Sequence, residues 1–150
     1  MLAIKENLYQ QCKLFLEQRL QSVQNTMQDI QKSLLSETKS SAGDKHETGR
    51  AMLQLEREKV GNQLADIQKV GETLSKIDRS KSHKIVSLGS VVYTTKANYF
   101  IAISAGELKV ENTLFYAISP STPIGQLLLS KQKGDAIRFR NDDFIIEAVF

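Results

Sequence analysis

Two long stretches with a helical heptad repeat constrain this 150-residue chain more than any other feature of its sequence. In the first, from Ile4 to Leu34, the apolar residues alternate at steps of four and three, most clearly at Leu16, Leu20, Val23, Met27, Ile30 and Leu34. This spacing places them along one side of an α-helix and is typical of a coiled-coil seam. Because no Gly or Pro interrupts the run before Gly43, we expect a first helix that ends near Ser36.

The second stretch runs from about Glu47 to Ile77 and has a seam of similar length. Its seam positions are Leu53, Val60, Leu64, Ile67, Gly71 and Leu74, with Arg57 and Gly71 as weak points. A polar turn, with an acidic tip near residues 37–48, separates the stretches and contains the flexible Gly43 that a tight reversal needs. Matched seams on both sides of a short turn predict an antiparallel helical hairpin with arms roughly 45 Å long.

Beyond a polar linker at residues 79–84, the sequence pattern changes from helix to strand. Short runs rich in β-branched and aromatic residues are separated by turn residues, and they cover Ile85 to Leu88, Ser90 to Thr95, Tyr99 to Ile103, Leu108 to Val110, Leu114 to Ile118 and Phe144 to Val149. One segment differs, because Thr122 followed by Pro123 predicts a short helix with Thr122 as its N-cap. The sequence therefore predicts an α+β chain, with a coiled-coil hairpin at 1–78 and a small antiparallel β domain at 84–150.

Charge and hydropathy restrict the class of partner. The 20 basic and 17 acidic residues give a net charge of +3, divided as +1 in residues 1–80 and +2 in residues 81–150. Neither half has the basic stripe of a nucleic-acid-binding surface, and the chain has no Trp, so we expect a protein partner and no direct DNA binding. No apolar run is long enough to span a membrane, and the first 20 residues are unlike a signal peptide, so a cytoplasmic protein is predicted.

The residues most often used in catalysis do not form a recognisable active site. Cys12 occupies an apolar helical position, where we expect it to pack as a small hydrophobe. His83 has no neighbouring Cys or His that would suggest zinc, and His46 is either a solvated turn residue or a ligand. Without a Ser/His/Asp set or a phosphate-binding loop, an active site of the chain's own is not expected.

Asp44 and Glu47 are the acidic residues with the clearest chemical potential. Three residues apart at the start of the second helix, their carboxylates fall on about the same side of its first turn. Carboxylate oxygens suit Mg²⁺, although two of them would need further ligands from elsewhere. The same spacing is that of a capping box, in which each side chain satisfies a backbone N–H at the helix start. Capping and metal recruitment both remain open on spacing alone.

Two motifs of the chain, one at the predicted tip and one in the predicted β domain, carry a resemblance to a known family. Gly43-Asp44-Lys45-His46-Glu47 resembles the Gly-Asp-x-x-Glu of the Gre family of transcript cleavage factors, which carries the two functional acids of that family. The run from Ile118 to Lys131, followed by Gly134-Asp135, is similar to the family's Ser-Pro-Ile-Gly-x-x-Leu-Leu-Gly-Lys-x-x-Gly-Asp. The chain departs from the pattern at Thr48-Gly49-Arg50-Ala51, where the family usually has Asn-Ala-Glu-Tyr, and at Ser130, where it has Gly.

The resemblance implies an FKBP-like fold for residues 84–150 and a role as an accessory factor of RNA polymerase, not an enzyme by itself. The second domain would dock at the rim of the polymerase secondary channel, with partner-binding residues Ser119, Pro120, Ser121, Pro123, Ile124 and Gly125. The hairpin of this expected monomer would enter the channel, where Asp44 and Glu47 would share a second Mg²⁺ with polymerase carboxylates near the 3′ end of a backtracked RNA. The expected outcome is hydrolysis of that RNA.

Three other functions compete with this one. A regulator of the same family could occupy the channel without promoting cleavage, and the departures after Glu47 keep that function open. A prolyl isomerase or chaperone is suggested only by the FKBP-like fold, which is weak evidence for function. A coiled-coil scaffold would pair its seam with another chain and use its tip acids only for capping.

Overall fold

The computed structural model describes the backbone of residues 1–39 and 44–150 and the side chains of residues 1–36 and 48–150. Two long helices come first, α1 (Leu2–Lys39) and α2 (Asp44–Ser75). The remaining elements are β1 (Val91–Thr94), β2 (Asn98–Ile101), β3 (Gly106–Val110), β4 (Thr113–Ile118), α3 (Pro123–Leu128), β5 (Ala136–Phe139) and β6 (Asp142–Val149). The predicted α+β class is confirmed. The chain divides into two compact units, one of residues 16–71 and one that joins residues 1–15 to residues 72–150.

The unit of residues 16–71 is an antiparallel pair of helices. Ile30, Leu34 and Val60 are its buried residues, and Val23, Met27 and Leu53 pack against them. At its other end Leu16 lies beside Gly71, with a leucine methyl 3.6 Å from the position a Cβ would occupy. Early residues of α1 thus meet late residues of α2, as the hairpin prediction required. Exposed Arg57 interrupts the seam where the sequence is weakest.

The first helix is longer than predicted. It continues to Lys39, three residues beyond the expected end at Ser36. Glu37, Thr38 and Lys39 include no helix-breaking residue, so the helical pattern has no local reason to stop earlier.

The other unit is built on a six-stranded sheet in the order β3-β4-β2-β1-β6-β5. All neighbouring strands are antiparallel except β2 and β4, which pair in parallel with Tyr99 opposite Tyr116. A core cluster lies between one face of the sheet and α3, and its buried members are Val86, Val92, Ile101, Leu128, Ile137, Phe144 and Ile146. Alternate residues, including Phe100 and Phe115, are buried on the opposite face.

Two strand predictions need correction. The strand expected at Ile85 to Leu88 is a single bridge between Ile85 and Gln132, because Val86 exchanges its backbone hydrogen bonds with the loop residues Ser130 and Lys131. Strand β5 was missed, although Ile137 and Phe139 alternate with polar residues and pack inward. The strands predicted elsewhere are present, and none of their bounds is shifted by more than two residues.

The first turns of α1 belong with the sheet unit. Leu8 and Cys12 are fully buried, and the Gln11 side chain donates a hydrogen bond to the Lys109 carbonyl at 3.0 Å. Burial raises the pKa of Cys12 to about 12, although a backbone hydrogen bond at Ile103 opposes the shift. The thiol therefore stays protonated at neutral pH and packs as a small hydrophobe, as predicted.

Arg79, in the segment after α2, contacts two residues near the start of α1. Its guanidinium lies 3.0 Å from the Glu6 carboxylate and 4.3 Å from the centre of the Tyr9 ring. Both contacts are partly exposed, so each adds only modestly to stability. The predicted linker at 79–84 and the domain bounds derived from it remain predictions.

In the described part of the chain, no helix is both long enough and apolar enough to cross a membrane.

Candidate functional site

The two predicted sites lie in different units of the chain. The side chains of the tip acids Asp44 and Glu47, and that of His46, lie outside the described residues. The backbone shows α1 ending at Lys39 and α2 beginning at Asp44, so both acids belong to the first turn of α2. Whether they cap the helix or recruit Mg²⁺ remains a prediction.

The residues immediately after the tip acids are described. Helix α2 passes through Thr48, Gly49 and Arg50 without interruption, and the Thr48 and Arg50 side chains are exposed. Among the described side chains, no group of three or more His, Cys, Asp or Glu residues could hold a metal ion.

The second predicted site, residues 119–125, is a tight loop joined to α3. Thr122 is the N-cap, as the sequence predicted: its side-chain oxygen accepts a hydrogen bond from the Gly125 N–H at 3.1 Å and donates one to the Ser119 carbonyl at 2.7 Å. Ser119 and Ser121 hydroxyls lie 2.8 Å apart, and the Ser119 N–H donates to the Ser104 hydroxyl at 3.3 Å. These bonds satisfy backbone groups at the start of α3 and fix the path of the loop.

Gly125 has a steric requirement for glycine. A Cβ at this position would stand 2.3 Å from the Ser119 carbonyl oxygen and 2.8 Å from the Thr122 hydroxyl. A carbon that close to a backbone oxygen is forbidden, so the loop closes against α3 only when residue 125 lacks a side chain. The Ile-Gly pair of the motif is thus explained by packing.

The side chains of the segment divide by exposure. Gly125 is buried and Ile124 packs against the core cluster, whereas Ser121 and Pro123 are exposed and Ser119 and Pro120 are half-buried. Leu127, one turn after Pro123, is 39% exposed and was not among the predicted partner-binding residues. Its spacing of four from Pro123 could have identified it. We call Ser121, Pro123 and Leu127 the outer surface of the loop and α3.

Ser130 departs from the family pattern at a place where the backbone favours glycine. Its φ of +69° lies in the left-handed region, which costs a residue with a Cβ about 1 kcal/mol or more. Gly134, four residues later, has a φ of +92° and keeps the glycine expected there. Ser130 therefore preserves the shape of the loop at some cost in stability.

The remaining titratable cluster surrounds His83. The Ser90 hydroxyl lies 2.7 Å from His83 Nδ1 and accepts a hydrogen bond from the Ser87 N–H at 2.9 Å. Burial lowers the pKa of His83, nearby Lys5 and Lys81 lower it further, and Asp78 opposes them. Because Ser90 is fully buried, this pair organises a turn and offers no accessible nucleophile.

Lys5 is a basic residue near the start of α1. Its side chain is fully buried, and its Nζ donates a 2.6 Å hydrogen bond to the Lys81 carbonyl. Burial lowers the pKa of Lys5, while the Asp78 carboxylate raises it. This bond ties the first turn of α1 to the segment that precedes the sheet.

Comparisons with known proteins give structural neighbours only. No protein-family model and no curated protein matches the chain. Among solved structures, one described as the crystal structure of GreA factor homolog 1 (Gfh1) of Thermus thermophilus is 19% identical, with a TM-score of 0.36, over 90% of this chain and 92% of that one. A second, described as the structure of the transcription factor Gfh1, is 20% identical with a TM-score of 0.34, over 89% of this chain and 90% of that one. With identities of 19% and 20% and TM-scores below 0.5, these similarities do not establish the function of this chain.

Proposed function

We propose that this chain is a Gre-type accessory factor of RNA polymerase that stimulates hydrolysis of backtracked RNA. The observation that carries the proposal is the segment at residues 119–128. There the residues of the family-like motif are tied together by geometry, with Thr122 capping α3 and Gly125 placed where no side chain fits.

The outer surface of the loop and α3 is the proposed docking site on polymerase. Pro123 and Leu127 offer adjacent apolar contacts, and the exposed Ser121 hydroxyl can hydrogen-bond to a partner. Thr122 and Gly125 act indirectly by holding the loop against α3. Of the six predicted partner-binding residues, Ser121 and Pro123 are thus the direct contacts in this proposal.

The hairpin would supply the second half of the function. Its arms form an antiparallel pair, and the two tip acids belong to the first turn of α2. Asp44 and Glu47 would provide carboxylate oxygens for Mg²⁺, whose shell polymerase ligands would complete. The bound ion would supply activation of water for RNA hydrolysis. Glu47 could also orient that water.

One described residue favours the alternative of a channel-occupying regulator without cleavage activity. Arg50 is exposed one turn after the tip acids, where the family usually has an acid. A positive charge one turn after Glu47 disfavours the binding of a second cation, such as Mg²⁺, at the tip. Docking is common to both functions, so cleavage is the property that separates them.

Docking is tested by binding to purified core polymerase with two matched substitutions. Leu127→Ser removes an exposed aliphatic side chain from the outer surface, and Ile145→Ser removes one that is 48% exposed on the other face of the sheet. We expect Leu127→Ser to weaken binding about tenfold, as the loss of a central apolar contact does, and Ile145→Ser to leave binding unchanged. Equal effects of the two substitutions would contradict the proposed surface.

A further inference from the structure

The two edge strands of the sheet, β3 and β5, differ in how they are covered. Each has a single neighbouring strand in the order β3-β4-β2-β1-β6-β5. At β3, the Gln11 side chain of α1 donates a hydrogen bond to the Lys109 carbonyl at 3.0 Å. At β5, Ala136 and Arg138 are exposed, and in the described part of the chain their backbone forms no hydrogen bond outside the pair of β5 with β6. Strand β5 is therefore the edge that can accept a further strand.

The hydrogen bonds of β6 establish which way its backbone groups point. The Thr95 N–H donates to the Ile145 carbonyl at 3.0 Å, and the Ile145 N–H donates to the Thr95 hydroxyl at 3.1 Å, so Ile145 faces the end of β1. Ile146 faces β5, because its carbonyl accepts from the Gly134 N–H at 2.8 Å and its N–H donates to the Asp135 carbonyl at 3.0 Å. In an antiparallel pair this direction alternates from one residue to the next.

The alternation along β6 identifies the free backbone groups of β5. Phe144, two residues before Ile146, also faces β5 and is the register partner of Ile137. The backbone of Ile137 is therefore bonded to β6, and the backbones of Ala136 and Arg138 point to the open edge. Each of these two residues offers one N–H and one carbonyl. The backbone of another strand matches such an alternating row of donors and acceptors.

The side chains of Ala136 and Arg138 indicate what an added strand should carry. They lie on the face opposite the core cluster, because Ile137 between them packs into that cluster. Arg138 Nε lies 3.8 Å from Asp143 Oδ1 in a pair exposed to solvent, so Arg138 can still bind a second carboxylate. Ala136 is the register partner of Ile145, which is 48% exposed, and both line a cleft of about 340 Å³ that an apolar side chain can enter.

We infer that the edge of β5 binds an extended segment of another protein as an added antiparallel strand. An acidic residue of that segment lies opposite Arg138, and an apolar residue two positions later lies opposite Ala136 and packs toward Ile145. Antiparallel addition is favoured because it is slightly more stable per residue than parallel addition. A second copy of β5 fits less well, since its pairing would place Arg138 either against itself or against Ala136. This inference does not depend on the proposed function.

The backbone part of the inference is tested with the full chain and a defined peptide, acetyl-Ser-Thr-Glu-Thr-Leu-Thr-Ser-amide, in an NMR titration. We expect shift changes centred on residues 136–138 and slower hydrogen exchange of the Ala136 and Arg138 amides in the complex. N-methylation of the Glu and Leu nitrogens removes the two donors that face β5, so the Kd should rise about fivefold for each. N-methylation of the Thr between them changes a nitrogen that points away from β5 and should leave the Kd unchanged.

The side-chain part is tested by two matched substitutions. Arg138→Gln should weaken binding of this peptide about threefold, as the loss of an exposed ion pair does, but should not weaken binding of a peptide with Gln in place of Glu. Arg140→Gln removes the same charge from the turn after β5 and should leave both Kd values unchanged. Four results would overturn the inference: no binding at millimolar peptide, shift changes centred away from β5, equal effects of the two kinds of N-methylation, or pairing of two copies of the chain through β5 in place of the peptide.

Discussion

At the scale of single residues, Gly125 and Gly61 show how neighbouring atoms decide what a glycine contributes. A Cβ at Gly125 would collide with the Ser119 carbonyl oxygen, whereas one at Gly61 in α2 would meet nothing within 4 Å. We expect Gly125→Ala to lower the free energy of unfolding by about 3 kcal/mol and Gly61→Ala to raise it by roughly 1 kcal/mol. Urea unfolding followed by circular dichroism measures both, and a stabilising Gly125→Ala would contradict the packing described for the loop.

Ser130 gives a prediction of the opposite sign in the same loop. Because its φ is +69°, Ser130→Gly should relieve backbone strain and raise the free energy of unfolding by about 1 kcal/mol. Exposed Ser121, whose φ is not in the left-handed region, offers a control, and glycine there should stabilise nothing. A thermal melt in which Ser130→Gly unfolds at or below the wild-type temperature would show that serine imposes no such strain on the loop.

His83 is expected to make stability depend on pH. The pKa of His83 is lower in the folded protein than the ordinary value of about 6.5. The unfolded chain therefore takes up a proton at His83 before the folded chain does, and stability falls as the pH drops below about 6.5. His83→Asn retains an acceptor for Ser90 but cannot titrate, so its urea midpoint should fall less between pH 7.5 and 5.5. An identical fall in the two proteins would rule out His83 as the cause.

At the scale of elements, the helical seam and the cap of α3 could be predicted from the sequence because both depend on local spacing. The steps of four and three in α1 identified Ile30 and Leu34, which are buried against Val60. Thr122 and Pro123 identified the start of α3 to the residue. In each case the pattern that forms the structure lies within one or two helical turns.

The strand predictions were wrong where contacts between residues far apart in the sequence decide the secondary structure. Residues 85–88 have strand-like composition, but the loop around Ser130 takes the Val86 backbone hydrogen bonds. Strand β5 is only four residues long and is recognised by its pairing with β6, which sequence spacing does not show. Of the candidate site, the motif was predictable and the division between exposed and packing residues was not.

The seam itself can be tested by comparing two aliphatic positions of α2. Val60 is 6% exposed and packs against α1, whereas Leu55 is 67% exposed. Val60→Ala should therefore cost about 2 kcal/mol in the free energy of unfolding, and Leu55→Ala should cost less than about 0.5 kcal/mol. If hydrogen exchange in α1 residues near Ile30 is unchanged by Val60→Ala, the two helices do not stabilise each other as described.

At the scale of the whole molecule, the two units have separate proposed functions, one in docking and one in RNA cleavage. The sheet unit carries the proposed docking surface, and the helical unit carries the acids proposed to act on RNA. Substitutions at Leu127 should therefore change binding to polymerase, and substitutions at the tip should change RNA cleavage by the bound complex but not binding itself. A control for the tip is available in Glu58 and Asp66, two exposed acids of the same helix whose loss changes the charge equally.

The most direct measurement is cleavage of a backtracked transcript in a purified elongation complex at fixed Mg²⁺ concentration. Three proteins are compared: the wild type, Asp44→Ala/Glu47→Ala, and the control Glu58→Ala/Asp66→Ala, with binding to polymerase measured for each. We predict that the wild type and the control shorten the RNA and that the tip variant binds without doing so. If the wild type binds polymerase but leaves the RNA intact, the chain does not stimulate cleavage and acts as a channel-occupying regulator.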